Sequence, residues 1–129
     1  MALGAAAVLL IGPSGAGKTA TALWMLALGA RLVADDGTLL VRNGDSLITG
    51  CAPAIKGQIE ARGVGILAAE PQVGAVLRLV VDLGQEETDR LPPRRETAIL
   101  GVTVPLLHGA KNPDLPAVLM QYLKGGRTA

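Results

Sequence analysis

The segment Gly12-Pro13-Ser14-Gly15-Ala16-Gly17-Lys18-Thr19 constrains this chain more than any other. It fits G-x-x-x-x-G-K-[ST] at every fixed position, the pattern of a loop that wraps phosphate groups. The run Ala5 to Ile11 before it is short and apolar, as a strand buried in a parallel sheet is. The stretch Gly17 to Leu28 after it favours helix, and Gly29 stands where helices commonly stop. In the order strand, glycine loop, helix, successive backbone N–H groups converge on phosphate oxygens at the positive end of a helix dipole. Lys18 then bridges the outer phosphates and the Thr19 hydroxyl is a ligand for Mg²⁺. The expected fold is therefore α/β, a P-loop nucleotide-binding domain with a mixed sheet and the phosphate loop between the first strand and the first helix. ATP or GTP is the expected ligand, held by residues 12–19.

Bulk properties narrow the field. A chain of 129 residues has room for one domain, 1–129, with a single core. Half of its residues are apolar and none is Phe, which suits small branched side chains packed between layers. The formal net charge of +1 supplies no long-range attraction for polyanions, so nucleic acid is not expected as a partner. Cys51 is the only cysteine, so no disulfide forms within the chain and a cytoplasmic location is expected. The apolar opening from Ala2 to Ile11 falls short of the roughly 20 residues that cross a bilayer, so no membrane association is expected.

Further along, Arg31 to Ala34 reads as a second strand ending on Asp35 and Asp36. Thr38 to Arg42 and Ser46 to Thr49 flank Asn43-Gly44-Asp45, a hairpin signal because Asn-Gly adopts positive φ readily. Pro53, Gly57, Gly63 and Gly65 break residues 52–65 into short pieces, with a helical turn or two expected over Ile55 to Ala61. Val73 to Leu83 reads as a strong strand, Gln85 to Glu96 as a polar mobile loop around Pro92-Pro93, and Thr97 to Leu107 as another strand region. Asp114 to Leu123 reads as a closing helix with Pro116 in its first turn.

Phosphoryl transfer needs a metal-organising acid, often a group that takes the acceptor's proton, and a cation near the moving phosphate. Two acidic candidates end apolar strands. Asp82 follows Leu79-Val80-Val81, and either organises a metal or is a plain strand-end residue. Asp35 and Asp36 follow Leu32-Val33-Ala34 as neighbours whose side chains point apart. One of them can face a phosphate while the other meets acceptor or scaffold, or the pair is a solvated turn. Glu60 and Arg62 lie in a glycine-flanked segment open to a ligand, or form a surface ion pair. The lone His108 reads more readily as a surface or packing residue than as a catalytic one.

Three segments together, Gly12 to Thr19, Leu32-Val33-Ala34-Asp35-Asp36, and Ile59-Glu60-Ala61-Arg62-Gly63-Val64-Gly65-Ile66, resemble the catalytic domain of HPr kinase/phosphorylase in order and spacing. The likeness is strongest from Leu10 to Leu67 and is to the short alphaproteobacterial form without a separate N-terminal domain. It implies an ATP-dependent serine kinase for HPr, the phosphocarrier of the bacterial sugar phosphotransferase system, able in that family also to remove the phosphate by phosphorolysis. It further implies that Lys18 holds the nucleotide phosphates, that Thr19 and Glu60 are Mg²⁺ ligands, and that Asp36 is the proton acceptor with Asp35 beside it. In Asp89-Arg90-Leu91-Pro92 it implies that Arg90 is the catalytic arginine; choosing Arg90 over Arg94 and Arg95 rests on the resemblance. Family members form hexamers, so a homo-oligomer is expected.

Three departures accompany the likeness. No histidine stands upstream of the phosphate loop in Met1-Ala2-Leu3-Gly4-Ala5. Thr19 replaces the more usual serine with its hydroxyl kept, and Val104 to Lys111 corresponds only loosely to the family's dephosphorylation segment. The competing readings are a nucleotide-sensing domain without turnover and a small-metabolite P-loop kinase, though the latter usually has a helical lid and a longer chain.

Overall fold

In chain order the protein, a computed structural model describing residues 1–129, runs β1 (Ala2–Leu3), β2 (Ala6–Ile11), α1 (Lys18–Ala27), β3 (Leu39–Asn43), β4 (Ser46–Gly50), β5 (Gln58–Ala61), β6 (Gly65–Ala68), β7 (Val76–Glu86), β8 (Arg95–Ile99), β9 (Val102–Ala110) and α2 (Leu115–Gly125). Strand β7 organises the main sheet because both of its faces are apolar. On one side it pairs in parallel with β2; on the other it meets antiparallel β4 at Val76 and then, from Val80 onward, parallel β9. The hairpins β3–β4 and β8–β9 extend the sheet, β1 adds an antiparallel edge, and β5–β6 is a separate two-stranded unit.

Adjacent strand residues face opposite ways, and β7 uses this to build two cores. Leu79, Val81 and Leu83 join Val8, Ile59, Ala22 and Met25 of α1, and Leu115, Leu119 and Met120 of α2. Leu77 and Val80 join Leu47, Val102 and Val104. Both helices therefore cover one face, and the second cluster, drawn from β4, β7 and β9 of the same sheet, lies on the other. The pairing Ala7 with Leu77 and Val8 with Leu79 leaves Arg78 as an extra residue. Such a bulge turns the strand, which is how Leu77 and Leu79 serve opposite faces although two residues apart.

Three readings from the sequence are corrected here. Arg31 to Ala34 is not a strand: it makes single bridges, Arg31 to Ala2 and Leu32 to Pro71, before bending away. Residues 55–61 are not helical beyond a single 3₁₀ turn at Pro53–Ile55; Gln58 to Ala61 is β5, held because Ile59 and Ala61 are buried on one side. The polar stretch 85–96 is shorter as a loop, since β7 continues to Glu86 and β8 starts at Arg95. The expected strand region over 97–107 is a hairpin whose turn puts Leu100 at φ 51. The hairpin at Asn43-Gly44-Asp45, helix α1 and the closing helix stand as expected.

Candidate functional site

Strands β2, β7 and β9 are mutually parallel, so their carboxyl ends share one edge of the sheet. Ligands of open α/β sheets bind outside such an edge. The phosphate loop leaves β2 there. Gly12 opens it at φ 145, and a Cβ at that position would lie 3.3 Å from both Gly84 N and Leu83 Cβ, so the loop packs directly on the end of β7. Gly17, at φ 95, caps α1 with no side-chain hydrogen bond, and the first turn holds no acidic residue. Its N–H groups therefore remain donors for an anion. Lys18 Nζ donates to the Gly12 carbonyl and closes the loop on itself, while Thr19 is exposed.

Asp82 lies beside Ile11 in register, with His108 of β9 on its other side. Its Oδ1 accepts from the Gly84 N–H at 2.8 Å, so one oxygen supports the bend that backs the phosphate loop. The backing by Leu83 and Gly84 is a contribution the motif did not disclose; the only sequence signal was a glycine two residues past the strand-end acid.

The aspartate pair follows a short bridged segment. Arg31 bridges antiparallel to Ala2, which itself pairs antiparallel with Ala7 of β2. The Arg31–Leu32 segment thus runs parallel to β2 before the chain bends through Asp35 and Asp36. Asp35 and Asp36 are both exposed. Asp35 Oδ2 accepts from the Glu60 N–H at 2.9 Å, which ties this bend to β5. Glu60 faces solvent because its neighbours Ile59 and Ala61 take the buried side of the strand. The pair and Glu60 are therefore brought together by a named bond.

Arg90 stands apart from these residues. It is exposed and lines a recess of about 380 Å³ with Asp89, Pro92, His108, Asn112 and Leu115, and no residue of the phosphate loop borders it. Of the three arginines in the loop after β7, Arg94 donates to the Arg127 carbonyl and Arg95 meets Glu87 at 3.1 Å. Arg95 Nη1 sits at that ion-pair distance without hydrogen-bond alignment, and is otherwise enclosed. Arg90 forms none of these bonds, so its guanidinium is the free one.

No group of three or more His, Cys, Asp or Glu side chains is close enough to cage a metal without help. The donors at hand, a threonine hydroxyl and exposed carboxylates, fit Mg²⁺, which takes one or two protein oxygens and completes its shell with phosphate and water.

The profile of the HPr Serine kinase C-terminal domain matches residues 2–108. The chain belongs to that family. It is 41% identical over 111 residues to the HPr kinase/phosphorylase of Aromatoleum aromaticum, covering 75% of this chain and 36% of that protein. With the HPr kinase/phosphorylase of Chlorobium phaeobacteroides it shares 34% identity over 135 residues, 90% of this chain and 40% of that one. The solved HPr(Ser) kinase/phosphatase of Coxiella burnetii superposes with a TM-score of 0.73 at 28% identity, over 91% of this chain and 84% of that one. The chain thus spans little more than a third of each of the two kinase/phosphorylase relatives, and the matched part is a mixed α/β P-loop kinase domain. Nucleotide use goes with membership of the HPr serine kinase family. No helix is long and apolar enough to cross a membrane.

Proposed function

We propose that this chain is an ATP-dependent kinase domain that transfers the γ-phosphoryl group to a seryl side chain of HPr, and in the reverse sense removes it by phosphorolysis. The observations that support the reading are an anion-ready phosphate loop at the start of α1 and, in the same chain, a carboxylate set pinned through the bond of Asp35 to Glu60. The relatives' printed names, HPr kinase/phosphorylase, support the acceptor.

Phosphoryl transfer asks the protein mainly for positioning and charge stabilisation. Residues 12–19 would cradle the phosphates with backbone N–H groups, and Lys18 would leave the Gly12 carbonyl for the outer phosphates. The Thr19 hydroxyl and Glu60 would hold Mg²⁺, which supplies charge neutralisation on the phosphates when bound. Asp36, whose side chain forms no hydrogen bond, would take the proton of the seryl hydroxyl. Asp35 would hold the bend that aims it. The free guanidinium of Arg90 would steady charge on the moving phosphoryl group. Work as a single domain, in a cytoplasmic homo-oligomer of hexameric form, completes this reading.

The test is transfer of labelled γ-phosphate from ATP with Mg²⁺ to HPr, beside an HPr whose acceptor serine is alanine. Label on the first alone supports the kinase; ATP binding without label on either sinks it in favour of a sensing domain.

A further inference from the structure

The loop between β7 and β8 carries Arg90, and both of its flanks are fastened. At its start Glu87 and Arg95 form a half-buried ion pair at 3.1 Å, and Glu87 Oε2 also accepts from the N–H groups of Thr88 at 3.1 Å and Asp89 at 3.3 Å. On its far side Arg127, just beyond α2, donates through Nη2 to the Pro92 carbonyl. The Arg127 carbonyl in turn accepts from Arg94 Nη2 at 3.4 Å. Arg127 Nε donates to the Ala129 carbonyl at 2.9 Å, so its guanidinium is gripped at two nitrogens. Between these ties stand Arg90 and Leu91, both exposed.

The tie at Pro92 bears on Arg90 because the chain between them is stiff. Leu91 and Pro92 each precede a proline, which drives both toward extended backbone, and the pyrrolidine rings fix φ at Pro92 and Pro93. Two residues of extended chain span at most about 7 Å. The point at which Pro92 is held therefore sets the range that Arg90 can sweep. Its holder is firmly mounted. Leu115, Leu119 and Met120 bury α2 in the helix-side core, and Gly126, at φ 70 with its N–H donating to the Tyr122 carbonyl at 2.8 Å, turns the chain out of the helix. Arg127 follows at once, so the contact joins the loop to a packed helix. Two hydrogen bonds between partly exposed groups add only modestly to stability. Their larger effect is on where the tip of the loop can go.

We infer that Arg127 is a positioning residue for the transfer reaction: through Pro92 it sets where Arg90 stands, an inference that rests on the kinase reading and on the role given there to Arg90. The experiment measures transfer of labelled γ-phosphate from MgATP to HPr by the intact chain, by Arg127→Ala, Arg127→Lys and Arg90→Ala, and by the double variant, with a melting temperature for each. Arg127→Ala should lower kcat about tenfold, as misplacement of a reacting group does. Its KM for ATP should stay within about twofold, since the phosphate loop is untouched. Arg127→Lys keeps a donor for the Pro92 carbonyl and should bring kcat back to within about threefold of the intact chain. In the Arg90→Ala background Arg127→Ala should cost less than about twofold, because no guanidinium remains to be placed. An unchanged kcat in a folded Arg127→Ala, or the same loss with and without Arg90, would overturn the positioning role and leave the kinase standing. Should Arg127→Ala fail to fold, Arg94→Ala, which removes only the weaker bond to Arg127, decides. It should lower kcat about threefold with Arg90 present and not at all without it; equal effects in the two backgrounds overturn the role. A normal kcat in Arg90→Ala removes the role of that arginine, and no transfer by the intact chain removes the kinase reading; the positioning role falls with either.

Discussion

Asp35 Oδ2 and the backbone N–H of Glu60 meet at 2.9 Å across 25 positions of sequence. This bond joins the bend that carries Asp36 to the strand that presents Glu60, so two carboxylates proposed for the chemistry share one support. Replacing Asp35 by Ala removes the acceptor and should cost roughly 1 kcal/mol, the usual net worth of such a bond. Amide exchange at Glu60 should quicken in Asp35→Ala and stay slow in Asp35→Asn, which keeps a side-chain carbonyl. Equal exchange in both variants would mean that the bond does not hold the two segments together.

The phosphate loop and the aspartate pair have separable duties. Lys18→Ala takes the one cation out of the loop and should abolish nucleotide-dependent phosphorylation. Asp36→Ala should leave ATP affinity within about threefold but slow transfer by roughly 10²–10⁴, the range for loss of a general base. Titration calorimetry with ATP beside a transfer assay separates the two. Full turnover in Asp36→Ala would move the proton-acceptor role elsewhere.

Arg90 is distinguished from Arg94 and Arg95 by its lack of a partner. Arg90→Ala should lower turnover by about 10²-fold, as loss of a charge-stabilising donor commonly does, without unfolding the chain. Arg95→Ala instead strips Glu87 of a half-buried partner, and its main effect should be on thermal stability. A normal rate in Arg90→Ala with a depressed rate in Arg94→Ala would reassign the role.

How much of this was legible depended on range. The phosphate loop, α1 and the Asn43-Gly44 hairpin are set by neighbours in sequence, and each stands where the residue pattern puts it. The Arg31–Ala34 segment is extended where it bridges, but its partners are Ala2 and Pro71, so the chain folds over it for only two residues before turning. In Gln58 to Ala61 the alternation of Ile59 and Ala61 with polar neighbours was a strand signal, masked by the glycines around it. The turn at Leu100-Gly101 lacks the usual Asn-Gly cue and adopts positive φ at a leucine, which pairing of the two flanking strands imposes. Site residues divided the same way. The phosphate loop is one local run, whereas the Asp35–Glu60 bond and the recess beside His108 exist only through long-range strand order.

Burial also sets a pH dependence. The Met1 amine is enclosed, donates to the Val8 carbonyl at 3.2 Å, and is pushed by desolvation from 8.0 down to about 6. Between those values the unfolded chain binds a proton that the folded chain does not, so stability rises with pH across the window, by up to roughly 3 kcal/mol. For a chain begun at Met1, the urea midpoint should climb from pH 6 to pH 8 and flatten above. The same chain with its amine acetylated should lose this slope; a slope that survives acetylation belongs to another group.

Gly109 tests the packing that seats α2 on the sheet. A Cβ there would lie 2.6 Å from Val81 Cγ1, 3.0 Å from Leu115 Cδ2 and 3.2 Å from Leu83 Cδ2. These atoms belong to buried residues of the helix-side core, so Gly109→Ala must displace β7, α2 or both. Overpacking of this kind costs about 1–3 kcal/mol. Because Leu83 also backs Gly12, the displacement should reach the phosphate loop and weaken ATP binding as well as lower the melting temperature. Trimming the clash with Leu115→Ala in the Gly109→Ala background should recover less stability than the clash removes, since it opens a cavity, but it should restore ATP affinity if the loop is disturbed through α2. Affinity that stays low in the double variant would place the disturbance in β7, through Val81 and Leu83.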